Sequence, residues 1–328
     1  MNVAEIVDAA IEAPIISSFT RLGYDIRKRT DHWPPLDSYD LSGRTVAVTG
    51  ATSGLGRHAA TCFAELGARV IVTGRQRERV ERAAAEISAE AGGQARVVPV
   101  AADMGDLDQV RELAGRITVV SDRLDALVHN AGALSDVRRN NADGVEATVA
   151  GQVLGPFLLT SLLRPALSTD APGRVITVSS GGMYAARSTV EELQMPAAAY
   201  RGTQQYALVK RAQVTLNELW AQRIPAAQTV FHAMHPGWSD TPGLQAALPR
   251  FRWVLGPLLR TPQQGADTIV WLACDPRPAR TSGDFWLDRR PRSIHKLPST
   301  RRSDTEQCRT SLWNWCVERS GADPDLAR

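Results

Sequence analysis

The stretch Thr49-Gly50-Ala51-Thr52-Ser53-Gly54-Leu55-Gly56 limits what this chain can fold into more than any other. It joins an apolar run, Thr45 to Val48, to an amphipathic run with helical spacing, Arg57 to Leu66. Three glycines at a strand-to-helix turn let the main chain reverse tightly and come close to a ligand. The N–H groups that open the following helix have no partner inside it, and the helix dipole favours negative charge there. The stretch therefore predicts a cradle for a pyrophosphate, formed by Gly50, Thr52, Ser53, Gly54, Leu55 and Gly56.

Apolar and amphipathic runs then alternate. Arg69 to Thr73, Ala95 to Val100, Leu124 to Val128, Arg174 to Val178, Thr229 to Ala233 and Asp284 to Leu287 predict six further strands. Helices are expected over 77–91, 107–117, 141–167 and 206–222. Such alternation implies a parallel sheet with right-handed crossovers. With 328 residues, the chain can bury one full core. The expected fold is α/β, a single doubly wound Rossmann-type domain over 41–290 with about seven strands. A helical arm, 1–40, precedes it and a tail, 291–328, follows.

In the arm, Val3, Ile6, Val7, Ala10 and Ile11 recur at helical spacing, followed by Ile15, Ile16 and Phe19 and the basic run Arg27-Lys28-Arg29. Such a stripe can pack on the domain, join a homo-oligomer interface or lie on a membrane surface. The net charge of +3 gives no case for nucleic acid as a partner. Eight cations between Arg277 and Arg302 read as a solvated basic surface or loose tail. Cys62, Cys274, Cys308 and Cys316 lack CxxC spacing, and no histidine pair has metal-ligand spacing. No run reaches the ~18 apolar residues of a membrane span, and Glu5 and Asp8 are foreign to a signal peptide. The expected setting is cytoplasmic, with at most peripheral membrane contact.

Ligands of doubly wound sheets sit beyond the carboxyl ends of the strands, so the residues after each run are informative. Gly74-Arg75 follows the second strand, where an acidic side chain would meet a ribose 2′-hydroxyl. A guanidinium there suits a 2′-phosphate and points to NADP rather than NAD. Asp103-Met104, Asn130-Ala131-Gly132 and Ser179-Ser180 follow the third, fourth and fifth strands. Tyr206 and Lys210 stand four apart, on one face of a helix. Lys210 is one of three lysines among 38 basic residues, which suggests that a compact amine is needed at that position. Tyrosine ionises near pH 10, and a neighbouring ammonium favours its phenolate, which would suit it to general acid–base work.

Cradle, Asp103, Asn-Ala-Gly turn, Ser180, Tyr206-xxx-Lys210 and Pro236-Gly237 followed by Thr241 together resemble the short-chain dehydrogenases/reductases, over about Leu41 to Asp288. Within that family the chain is similar to the retinol-dehydrogenase-like group. The resemblance implies an oxidoreductase that interconverts a carbonyl and an alcohol with a nicotinamide cofactor. It implies that Ser180 holds the substrate oxygen, with Ser179 the lesser candidate, and that Tyr206 carries the proton. Lys210 would also touch the nicotinamide ribose, Thr241 would meet the carboxamide, and Asp103 would lie on the adenine side. Met104, Asn130, Ala131, Gly132, Pro236, Gly237 and Ser239 complete the implied cofactor set.

One departure stands out. The family's N-x-x-G motif supplies an asparagine that supports a water on the proton path to the lysine, and here it reads Gln152-Val153-Leu154-Gly155. That substitution leaves open an alternative, a nucleotide-binding sensor or scaffold of this fold without turnover. Finally, residues 241–261 carry Leu244, Leu248, Phe251, Trp253, Val254, Leu255, Leu258 and Leu259, which predicts a segment closing over a lipophilic substrate.

Overall fold

β-branched side chains are stiff and pack on both faces of a covered sheet, so strands form where they cluster. The computed structural model describes residues 3–323 apart from Asp170, Ser188 and Leu248. The arm forms α1 (Val3–Glu12), α2 (Ile15–Phe19) and α3 (Arg21–Thr30). The first half of the domain runs through β1 (Thr45–Val48), α4 (Gly54–Glu65), β2 (Arg69–Gly74), α5 (Arg77–Glu90), β3 (Val97–Ala101), α6 (Leu107–Val120) and β4 (Ala126–His129). In the second half, α7 (Ala147–Val149) passes through a π turn (Ala150–Leu154) into α8 (Gly155–Leu167). Then come β5 (Gly173–Val178), α9 (Gly202–Arg223), β6 (Thr229–Met234), α10 (Pro242–Ala247), α11 (Pro249–Leu255), α12 (Pro262–Cys274) and β7 (Phe285–Leu287). β8 (Arg290–Pro291), α13 (Pro298–Ser303) and α14 (Glu306–Ser320) close the chain.

The sheet order is β3-β2-β1-β4-β5-β6-β7-β8, parallel up to β7, as the alternation of runs predicts. An eighth strand joins it. β8 turns back antiparallel on β7 around Asp288 and Arg289, both in the left-handed region at φ 55° and 56°. Two such residues make a tight hairpin, here without the Asn-Gly or Asp-Gly signature that betrays one in a sequence. α4, α5 and α12 cover one face of the sheet, and α6, α8, α9 and α14 the other.

The long helix expected from Asn141 starts instead at Ala147. Asn141 spends its side chain on a turn, its Oδ1 accepting from the N–H groups of Asp143 and Val145 at 3.0 and 2.9 Å. The Glu146 carboxylate then caps α7 by accepting from the Val149 N–H. α9 begins four residues before Tyr206, and the third strand two residues later than expected.

The tail is no loose appendage. Trp313 of α14 is buried between Phe157 and Trp220, with ring centroids 5.0 and 4.8 Å away. The arm also packs on the domain. Arg27 of α3, fully buried, donates to Asp8 at 2.7 Å, Glu12 at 2.9 Å and Asp288 at 2.7 Å. Three cations of the basic run meet acids of the arm: Arg290 pairs with Asp31, Arg292 with Asp8 and Lys296 with Glu12. These pairs correct the reading of that run as a solvated surface. Among the described residues, Ile6, Ile15, Ile16 and Leu22 are the large apolar side chains that the arm leaves exposed. Among the described residues no helix is long and apolar enough to cross a membrane.

Candidate active site

The site begins at the mouth of β1. Gly50 and Gly54 take φ +66° and +58°, a region closed to most side chains. A Cβ on Gly50 would lie 2.7 Å from the Ala131 Cα, and one on Gly56 would lie 2.6 Å from the Gly50 carbonyl oxygen. The glycine turn and the Asn130-Ala131-Gly132 turn thus interlock, and hydrogen bonds fix the join. Asn130 Nδ2 donates to the carbonyls of Thr49 and Gly50 at 3.0 and 3.1 Å. Thr49 Oγ1 accepts from the N–H groups of Asn130 and Ala131 at 3.0 and 3.1 Å.

Ser53 precedes α4 without capping it by its side chain, so the first amides of the helix stay open to a ligand. An uncapped helix start behind a turn that admits no Cβ fits a pyrophosphate. At the end of β2, Gly74 is held to a hydrogen atom by Thr52, whose Cγ2 would be 2.8 Å from a Cβ there. Arg75 follows it, exposed. Asp103 folds its own turn, its Oδ1 accepting from the Gly105 N–H at 2.9 Å. The Met104 side chain points into the core, leaving only its main chain for a ligand.

β5 ends in two serines with different tasks. Ser179 is buried and donates to the Lys210 carbonyl at 2.9 Å, which ties the strand to α9. Ser180 is half-buried, accepts from the Gly182 N–H at 3.3 Å and stands near enough to Tyr206 to draw its phenol downward. Lys210 lies one turn beyond Tyr206, its Nζ 5.2 Å from the centre of the phenol ring. That Nζ donates to the Val178 carbonyl at 2.9 Å and to Gln213 Oε1 at 3.0 Å.

Burial pushes the Tyr206 phenol up to about 12, against a smaller downward pull from Ser180, and pushes the Lys210 ammonium down to about 7. A neighbouring ammonium is thus not enough by itself to lower the phenol. The ammonium is turned toward two carbonyl oxygens, and desolvation of both groups outweighs their attraction.

Past β6, Pro236-Gly237 turns with Gly237 at φ +71°, and the Arg260 guanidinium fills the space where a Cβ would stand. Ser239 is buried and donates to the Pro236 carbonyl at 3.3 Å, so its side chain braces the turn. Thr241 backs onto the cradle, its Cβ 3.5 Å from where a Gly54 Cβ would be, and its Oγ1 accepts from the Leu244 N–H. Gln152, in the π turn, donates through Nε2 to the Ala133 carbonyl at 2.9 Å, while its Oε1 is buried without a hydrogen-bond partner.

Several residues at the site escape sequence reasoning. A Cβ on Gly181, beside Ser180, would lie 2.6 Å from Phe19 Cε2. The Phe19 carbonyl accepts from the Trp238 N–H at 2.7 Å, and Arg260 donates to the Phe19 and Thr20 carbonyls and pairs with Asp288. The arm thus supports the loops after both β5 and β6. Only for Gln213 was a signal available, its place one helical turn beyond Lys210.

A family model for short chain dehydrogenase matches residues 44–247. The chain belongs to this family. The dehydrogenase is 38% identical over 301 residues to dehydrogenase/reductase SDR family member 12 of Bos taurus, covering 90% of this chain and 92% of that one. It is 33% identical over 265 residues to retinol dehydrogenase 14 of Mus musculus, covering 76% and 78%. A solved structure assigned to the short chain dehydrogenases, from Escherichia coli CFT073 and complexed with NADPH, superposes with a TM-score of 0.62 at 26% identity, over 78% of this chain and 100% of that one. The protein is thus an NAD(P)-dependent short-chain dehydrogenase/reductase. The family match leaves out the arm and the tail.

Proposed function

We propose that this dehydrogenase prefers NADPH over NADH and reduces the carbonyl of a lipophilic small molecule, with oxidation of the alcohol as the reverse reaction. The observation that carries the reading is the grouping of Ser180, at the carboxyl end of β5, with Tyr206 and Lys210 one turn apart on α9, the Lys210 Nζ 5.2 Å from the phenol ring. A bound nicotinamide supplies the hydride donor or acceptor.

The protein holds the cofactor and moves the proton. Gly50, Gly54 and Gly56 leave room for the pyrophosphate, and the main chain of Thr52, Ser53 and Leu55 faces it. Arg75 meets the 2′-phosphate. Asp103, Met104, Asn130, Ala131 and Gly132 border the cofactor on one side, and Pro236, Gly237, Ser239 and Thr241 on the other. Ser180 donates a hydrogen bond to the substrate oxygen. Tyr206 gives that oxygen its proton in reduction and takes it back in oxidation, and the Lys210 ammonium favours the phenolate left between the two.

Two observations support a lipophilic substrate. Trp253, Val254 and Leu258 of the segment after Thr241 are exposed large apolar side chains. One relative is named for retinol, an apolar alcohol. The deciding experiment is Tyr206→Phe. Turnover should fall at least about a thousandfold, within the range of general acid–base catalysis, while NADPH affinity by fluorescence titration stays within about threefold. A folded variant that keeps its turnover would overturn the assignment.

A further inference from the structure

Lys210 is 2% exposed, and among the described residues no carboxylate faces its ammonium. From β5 it meets the Val178 carbonyl, and from its own helix the Tyr206 ring and Gln213 Oε1. Tyr206 is the one titratable group among these. Ser179 is occupied with the Lys210 carbonyl, and the Gln152 side chain with the turn at Ala133. Gln213 therefore supplies the only side-chain oxygen on the ammonium among the described residues.

The amide of Gln213 has one possible orientation. It is buried, and its Nε2 donates at 2.7 Å to the Gln152 main-chain carbonyl in the π turn. Reversing it would press NH2 against ammonium and oxygen against oxygen. Gln152, at the family's asparagine position, thus reaches Lys210 only through its carbonyl and Gln213. We propose that Gln213 is a positioning residue for the reaction, holding the Lys210 ammonium charged and aimed beside Tyr206. This rests on the acid–base reading of Tyr206 and Lys210 given above.

Without Oε1, a buried cation keeps one acceptor and releases its proton more readily. With Lys210 neutral, the phenolate loses the cation that stands 5.2 Å from its ring. Three lysines in the chain make this directly measurable. In full-length protein without cofactor, labelled with 15N-lysine and assigned through Lys28→Arg and Lys296→Arg, the Lys210 amine is titrated by NMR. Gln213→Met should lower its midpoint by a unit or more, about a tenfold loss of proton affinity. With NADP+ and an alcohol, kcat at neutral pH should fall about tenfold while the KM for NADP+ stays within about threefold. Should Gln213→Met fail to fold, Gln213→Asn, which keeps an amide but withdraws it by one methylene, should shift the midpoint the same way. An unmoved midpoint in a folded variant overturns the proposal, as does a moved midpoint with unchanged kcat. If Tyr206→Phe retains turnover, the acid–base reading fails by itself, and the lysine titration still decides whether Gln213 holds Lys210.

Discussion

Arg75 is exposed, at the end of a strand and beside a glycine that crowds against Thr52. A cation so placed discriminates between a ribose hydroxyl and a ribose phosphate through charge-assisted hydrogen bonds. Arg75→Ala should weaken NADPH about tenfold and leave NADH unchanged, as read by fluorescence titration of each cofactor; equal losses would remove the residue from the specificity role. At this scale much was legible. Gly50, Gly56, Asn130, Tyr206 and Lys210 are demanded by close approach or by proton chemistry, which admit few residue types at fixed spacing. Phe19, Arg260 and Asp288 were not legible, because contacts across more than two hundred residues give them their place.

Two elements turn on surface rather than on spacing. The segment after Thr241 folds as α10 and α11, with Phe251 edge-on to Trp238 at 5.0 Å and Leu259 buried, so part of its apolar character serves packing. Leu248 lies outside the described residues. Trp253, 86% exposed, serves no packing in its own chain. Trp253→Ser should change unfolding free energy by no more than about 0.5 kcal/mol. It should raise the KM of a large apolar ketone about tenfold and leave that of a small polar one alone, in a panel graded by ring or alkyl size. The arm is governed by charge. Burial opposes ionisation of Asp8, but Arg292 and Arg27 outweigh it and hold the carboxyl down at about 2. A lowered carboxyl stabilises the docked arm above its ordinary value of about 3.9 and ceases to do so as the pH falls through the lowered one. Hydrogen exchange should therefore show α1 to α3 losing protection between about pH 4 and pH 2, ahead of the sheet. The sequence announced the arm's helices by their apolar spacing, but Asp8 and Glu12 look like solvated acids until Arg27 and Arg292 are known to face them.

Across the whole molecule, the sheet was readable because parallel strands covered on both faces must be apolar throughout, whereas the closure of the two chain ends was not. Asp288 stands at the centre of that closure, 1% exposed, between Arg27 of the arm and Arg260 behind the Pro236-Gly237 turn. Asp288→Ala leaves two buried guanidinium groups short of a partner and should cost about 3–5 kcal/mol by urea unfolding. It should also lower kcat, since Phe19, which packs under Gly181 beside Ser180, and Trp238 lean on the same centre. A loss below about 1 kcal/mol would mean that Asp8 and Glu12 neutralise Arg27 unaided. The same centre dictates an order of assembly during synthesis. Arg27 leaves the ribosome 261 residues before Asp288, so only its partners within the arm, Asp8 and Glu12, are available to it while the sheet forms. The ion pairs that brace the Gly237 turn can close only once the hairpin of β7 and β8 has emerged, with α13 and α14 still to follow.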